Sequence, residues 1–326
     1  MHKHSLTMVK HVISNSSYVS TIYSTSPLTR HGRTVDTIQK YYSYIMNGVD
    51  LLYKGIDDPS IRFNIILSDF IFFKNKHDFQ HNISGVVEVN GLKHIDVLHY
   101  LKDLVEWDKK TDYRQRQHFC QGILFSRYIM YDEFVTDTTA NGAAHQGEVC
   151  NVGKRMSIVQ TTGYVRTVYT TAHELGHSLG ASHDGSGNAR DCRAEDRFIL
   201  TPAAEEYYPG KPYEKNNWLF SKCSIRAFKN TLKTKQCVKN PAPYYNDAEY
   251  HSYMTQKPGE VFTIEEQCEL IAGRGSVLCE TDNRDICLVM RCTDPKTGRC
   301  SEVYHGAATG SNCGRNKHCI NGLCVS

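Results

Sequence analysis

A chain of 326 residues, 40% hydrophobic and 10% aromatic, is long enough for one large domain or two unequal ones and is not a disordered segment. Lysine and arginine number 38 against 35 aspartate and glutamate, a formal +3 that gives no sign of the concentrated basic face of a nucleic-acid binder. The longest apolar stretch, 63–73, is interrupted by Asp69 and falls short of the about 20 residues that a membrane-crossing helix needs.

Residues 1–20 are polar and hold no apolar core, so no signal peptide is legible there and the chain reads as mature or partial. Apolar residues at Val35, Ile38, Tyr42, Ile45, Met46, Val49 and Leu52 recur at helical spacing and predict a helix over 35–53. The β-branched run 61–67, preceded by Pro59, predicts a strand, and shorter strands are expected at 87–89 and 123–125. Between those two, Val97, Leu98, Leu101, Leu104 and Val105 share one face of a predicted helix over 95–107. A strand is expected at 156–161, followed by a helix over 165–179 whose buried side is Val165, Val168, Ala172, Leu175 and Leu179. The last expected helix covers 221–232, with Ser221 as its N-cap. Such alternation predicts an α/β fold for the first two-thirds. Beyond Cys237, the stretch 240–259 carries Pro241, Pro243 and Pro258 without apolar period and reads as a linker.

Thirteen cysteines are spread unevenly. Cys120, Cys150, Cys192, Cys223 and Cys237 lie far apart, whereas Cys268, Cys279, Cys287, Cys292, Cys300, Cys313, Cys319 and Cys324 crowd the end. Tight C-x-x-C pairs are few and the intervals vary, which favours a disulfide-stapled module in an oxidising compartment over zinc knuckles. Eight cysteines allow 105 pairings, so spacing alone leaves the connectivity open. The sequons at Asn15 and Asn82 are candidate glycosylation sites and agree with secretion.

The chemistry is concentrated in TAHELGHSLGASHD, residues 171–184. His173 and His177, four apart on a helix, face the same way and can aim two imidazoles at one ion. Gly180 can adopt the left-handed conformation that ends a helix and turns the chain back, bringing His183 up as a third ligand. Three neutral histidines leave zinc an open position, the mark of a catalytic rather than structural site. Glu174, beside the first ligand, is placed to act as general base and then general acid on a water and a peptide bond. A lone histidine on a helix is usually an ordinary surface or core residue. His, Glu, His, Gly, His and Asp fixed together arise by chance with a frequency of only about 10⁻⁵ over this length.

This extended motif is the metzincin signature. With Asp184 directly after the third histidine, the chain resembles the adamalysin/reprolysin branch, which contains snake-venom metalloproteases, ADAMs and ADAMTS proteases. Upstream, Gly142, Ala143, Ala144, His145, Gln146 and Gly147, followed by Cys150, resemble the family's substrate-binding edge strand and its following cysteine. Cys223-Ser224 and Cys237-x-x-Asn240 are similar to the end of the catalytic domain, and 258–326 resembles the disintegrin-like module of ADAMTS proteins. The resemblance implies a metzincin catalytic domain over 1–240 with a mixed, mostly parallel sheet, a linker over 241–257 and a disulfide-rich domain over 258–326. It further implies bridges Cys150–Cys237 and Cys192–Cys223, and in the tail Cys268–Cys292, Cys279–Cys300, Cys287–Cys319 and Cys313–Cys324, with Cys120 left over. The implied protein is a secreted, monomeric zinc endopeptidase of extracellular proteins, either a venom or saliva toxin or a matrix protease. The rival is a non-catalytic adhesion protein or toxin acting through the tail.

Three departures from the family pattern stand out. Leu200 occupies the position of the methionine expected beneath the zinc. Phe119 and Cys120 follow His118 where the family's calcium site has an aspartate, which weighs against Ca²⁺ binding through Asn240 and the Cys237 carbonyl. No prodomain or cysteine switch is legible in the sequence.

Overall fold

Helix-spaced apolar residues produce the first long element, α1 (Val35–Lys54), whose Tyr42, Ile45, Met46, Val49 and Leu52 are buried. The structure is a computed structural model and describes residues 6–7, 10–14, 35–67, 69–73, 86–89, 92–110, 119–126, 128–131, 139–202, 215–239, 255–279, 286–302 and 306–326. Asn15, Asn82, His118 and Asn240 lie outside the described residues.

A central sheet is built from β1 (Lys10–Ser14), β2 (Asp69–Phe73), β3 (Gly122–Ser126), β4 (Gly142–Ala144) and β5 (Met156–Gln160). Its order is β4-β5-β3-β1-β2, parallel throughout except for the antiparallel edge strand β4. The sheet is therefore mixed and mostly parallel. β3 is buried along its whole length and reads as a near-continuous apolar run, as a central parallel strand should. Two helices follow in the chain, α2 (Val97–Lys110) before β3 and α3 (Tyr164–Ser178) directly after β5. Phe119, Leu124, Met156 and Ile158 pack with Tyr100, Leu101 and Leu104 of α2. Phe125 and Val159 join α1 and α3 in the main core. The sheet thus has one core on each face, and α3 is pinned to α1 where Tyr53 Oη donates to Ala172 O at 3.0 Å.

Two expected elements are shifted. Burial alternates over 61–65, with Ile61, Phe63 and Ile65 inside, and Ile66 and Leu67 are buried as well, yet only Ile65–Ile66 pairs in a ladder, with Leu6–Thr7. Asp58 holds the preceding turn by accepting from Ser60 N at 2.9 Å, and Asp50 accepts from Ile65 N at 2.8 Å. The sheet strand is instead β2, which begins at the Asp69 that seemed to break the run. Similarly, Ile95 ends a strand, Leu92–Asp96, and α2 begins only at Val97, where Asp96 Oδ1 accepts from His99 N at 2.8 Å. The expected last helix of the first part is α4 (Lys222–Thr234), with Ser221 Oγ accepting from Ser224 N at 3.2 Å.

Toward the end of the chain a single helical turn, Pro258–Val261, leads into α5 (Ile264–Ala272), capped by a reciprocal Thr263–Glu266 pair. The rest is short hairpins, and buried cysteines replace the apolar residues a core would need: Cys268, Cys287, Cys292 and Cys319 pack with Met290 and Ala307. The bridges are Cys268–Cys292, Cys279–Cys300, Cys287–Cys319 and Cys313–Cys324, spanning 11 to 32 residues. Loops of this size each contribute about 3 kcal/mol by restricting the unfolded chain. Cys150–Cys237 and Cys192–Cys223 tie the first part, and buried Cys120 stays outside all six bridges. Among the described residues no helix is long and apolar enough to cross a membrane.

Candidate metal centre

The site rests on α3, whose Val165, Val168, Ala172 and Leu175 are buried against the sheet and α1, leaving the opposite side to carry chemistry. The helix ends in a Schellman arrangement, with Gly180 N donating to His177 O at 2.8 Å and Ala181 N to Gly176 O at 3.1 Å. Gly180 sits at φ +99°, and a Cβ there would collide with Thr231 Oγ1 of α4, so glycine is required twice over. Reversal at this residue returns His183 to the helix face already occupied by His173 and His177.

The three Nε2 atoms form a triangle with sides of 3.1 Å. His173 Nδ1 lies 2.7 Å from Ile199 O and His177 Nδ1 lies 2.8 Å from Ala181 O. A nitrogen facing a carbonyl must carry the proton, so both rings present bare lone pairs at Nε2 and cannot donate to one another. Lone pairs crowded in this way call for a cation. Four-coordinate zinc with Zn–N bonds of about 2.0–2.1 Å needs its nitrogens about 3.3 Å apart, and the triad falls within a few tenths of that. Burial, and then the neighbouring imidazoles, hold His173 well below its ordinary pKa. Burial also lowers His177, and burial with His177 brings His183 to about 4. All three rings are therefore neutral at physiological pH, as zinc requires.

Glu174 is buried, and its Oε2 has no hydrogen-bond partner among the described residues. Burial alone pushes its carboxyl up to about 8. The edge strand lies directly against it: a Cβ on Gly142 would stand 2.8 Å from Glu174 Oε1. Ala143 packs toward α2, so Gly142 and Ala144 face the opposite side by the alternation of a strand. The chain then turns through His145 and Gln146, and Gly147 N donates to His177 O at 2.9 Å. His145 Nε2 is buried without a partner among the described residues, and burial, then Lys154, lowers its pKa.

Leu200 is buried under α3, its Cδ2 2.8 Å from where a Cβ on Gly176 would lie, between the first two histidines. Asp184 N donates to Leu200 O at 2.9 Å, and Ser221 Oγ donates to Asp184 Oδ1 at 2.7 Å, joining the third histidine to the cap of α4. Tyr169 Oη donates to Ile199 O at 3.1 Å, the same carbonyl that orients His173. Sequence reasoning named Ser221 only as an N-cap and missed its bond to Asp184, Tyr169 and the two orienting carbonyls, because long-range partners and backbone acceptors leave no trace in local residue identity. Two groups of three sulfurs also gather within 4.8 Å, Cys120 with Cys150 and Cys237, and Cys287 with Cys313 and Cys324. Each is built around a disulfide and offers no set of three thiolates.

Comparison with known proteins agrees with this geometry. Residues 258–325 match the ADAMTS cysteine-rich domain 2, the segment whose sequence reads as disintegrin-like. A Bombyx mori protein described as "A disintegrin and metalloproteinase with thrombospondin motifs like" is 30% identical over 91% of this chain and 42% of its own length. The Rattus norvegicus "A disintegrin and metalloproteinase with thrombospondin motifs 7" is 30% identical over 69% of this chain and 14% of its own. The Homo sapiens "A disintegrin and metalloproteinase with thrombospondin motifs 20" is 24% identical over 97% of this chain and 16% of its own. The chain thus spans less than half the length of each of these relatives. Residues 21–241, more than half of the chain, match the reprolysin (M12B) family zinc metalloprotease, and the chain belongs to that family.

Proposed function

We propose that this chain is a secreted endopeptidase that hydrolyses extracellular proteins, with 1–240 as its catalytic unit, 241–257 as a linker and 258–326 as a substrate-docking module. The observation that carries the reading is the unpartnered, buried Glu174 Oε2 beside three converging imidazoles and an edge strand. His173, His177 and His183 hold zinc, which when bound acidifies a water and polarises the scissile carbonyl. Glu174 takes a proton from the attacking water and passes it to the leaving amine, roles for which its place beside the triad and against the edge strand is suited. Gly142 to Gly147 receives the substrate as an added strand along the open edge of β4, where a side chain at 142 would intrude on the base. The six disulfides support an oxidising compartment.

Elemental zinc analysis paired with casein hydrolysis tests the reading. Glu174→Gln should retain one zinc while hydrolysis falls roughly 10²–10⁴-fold, because the ligands are untouched and the proton shuttle is gone. A folded, zinc-loaded parent chain that cleaves neither casein nor any member of a broad peptide library overturns it and hands the biological role to the tail.

A further inference from the structure

The turn that delivers His183 is gripped by two amide side chains from outside the motif. Gln146 Nε2 donates to Gly180 O at 3.0 Å and to Ser182 Oγ at 2.9 Å. From the other side, Asn188 Nδ2 donates to the same Gly180 O at 2.7 Å, its Oδ1 accepts from Ser182 N at 3.1 Å, and its backbone N–H reaches Ser182 Oγ at 3.3 Å. The two residues converge on one carbonyl and one hydroxyl, and between those acceptors lies Ala181.

That position matters because Ala181 O orients His177 through Nδ1, while Ser182 leads directly into His183. The conformation of 180–182 therefore sets the aim of two of the three ligands. Left to itself the turn would be loose, since it hinges on a glycine at φ +99°. Neither amide is needed to end α3, whose carbonyls are satisfied by Gly180 N and Ala181 N. Gln146 also continues the strand edge at which the substrate is placed, so the same grip joins that edge to the zinc turn.

We propose that Gln146 and Asn188 are positioning residues that clamp the 180–182 turn and thereby fix His177 and His183 on the metal. This rests on the zinc reading above, and the experiment separates the two. The intact chain, loaded with one zinc, is mixed with excess chelator and the rate of zinc loss is measured for the parent, Gln146→Leu, Asn188→Ala and the double variant. Groups bonded directly to a metal ligand typically govern affinity by about 10–100-fold; these amides act one bond further out, so each single variant should release zinc more than about twofold faster than the parent, and the double variant at least about tenfold faster. The double variant should lose more than the product of the two effects, because each amide alone can still serve Gly180 O and Ser182 Oγ and only the double variant leaves them unheld. A general loss of structure would lower the melting temperature of the metal-free chains, whereas a clamp leaves the metal-free Gln146→Leu within about 2 °C of the parent. Substituting cobalt for zinc gives a second reading, since its visible absorption follows ligand geometry and should weaken or shift in both single variants. Zinc release from folded Gln146→Leu and Asn188→Ala within about twofold of the parent overturns the clamp and leaves the protease reading intact. A parent that holds no zinc overturns both.

Discussion

Replacing Gly142 with alanine isolates the geometry between edge strand and base. The added methyl would lie 2.7 Å from Ile158 O and 2.8 Å from both Cγ and Oε1 of Glu174. Ordinary carbon–oxygen contact is about 3.3–3.6 Å, so overlap of at least about 0.5 Å must be relieved. Ile158 cannot yield, because it is paired on both sides, with Ala143 and with Leu124. The edge strand must therefore draw back from Ile158 O, and the carboxyl of Glu174 must move as well. Displacement of a catalytic group by about 1 Å costs on the order of 10²-fold, and overpacking of this kind destabilises by about 1–3 kcal/mol. The expected variant holds one zinc, melts several degrees lower and cleaves a quenched fluorescent peptide about a hundredfold more slowly, chiefly through kcat. Turnover within about threefold of the parent would refute the reasoning, and so would a loss of activity that merely tracked loss of zinc.

Leu200→Met should change turnover less than about tenfold, since the exchange nearly conserves volume in a packed core and the sulfur has no ligand role. Leu200→Ser should do more damage by opening a cavity under Gly176 between two ligands; equal kcat/KM for the two variants would contradict this. For pH, the triad histidines all titrate below the ordinary 6.5 when folded, His183 at about 4. The unfolded chain therefore takes up protons first, so the stability they contribute is complete above 6.5 and is lost as pH falls from 6.5 toward 4. Protons also compete with zinc for the same lone pairs, so zinc content and activity should decline together over that interval; full zinc occupancy at the bottom of it would oppose the assignment.

How much of this was legible in the sequence depended on the range over which each feature is decided. The pair His173 and His177 follows from helical spacing, and the return of His183 from one glycine's backbone freedom, so the metal centre could be read from a dozen neighbouring residues. The strand expected at 61–67 shows the opposite limit. The β-branched run there signals extended chain, but pairing depends on which strand lies alongside, and local composition carries no information about that. The helix expected from Ile95 starts two residues too early, because the apolar stripe that begins at Val97 does not mark its own boundary, whereas Asp96 caps the helix and sets it. The bridges were accessible only through resemblance, since spacing leaves their pairing open. Gln146 and Asn188 were invisible as a pair because a lone amide in a turn has no periodicity, and the two meet only after α3 reverses.

The tail is not a loosely tethered appendage, and that bears on what it can do. Phe262 sits edge-on to Tyr41 and Tyr44 of α1, with ring centroids 6.3 and 5.4 Å apart, and belongs to the main core of the first part. Tyr44 Oη donates to Gln256 Oε1 at 2.8 Å, so residues the sequence assigned to the linker are already docked. Ile271 of α5 packs against Gly163, at the N-terminus of α3, where a Cβ would approach to 2.9 Å. Gly322 comes closer still to Trp218, just ahead of α4, where a Cβ would stand 2.2 Å from the indole. These contacts reach both helices that shape the zinc turn, α3 from its start and α4 from the segment before its cap. On the docking role proposed above, a module so seated would present what it binds to the edge strand in one orientation rather than over a range. Its own stability comes from cross-links rather than apolar volume, which leaves its surface residues free to be chosen for recognition. The packing of Phe262 into the core shared with Tyr41 and Tyr44 is what would convert such recognition into position.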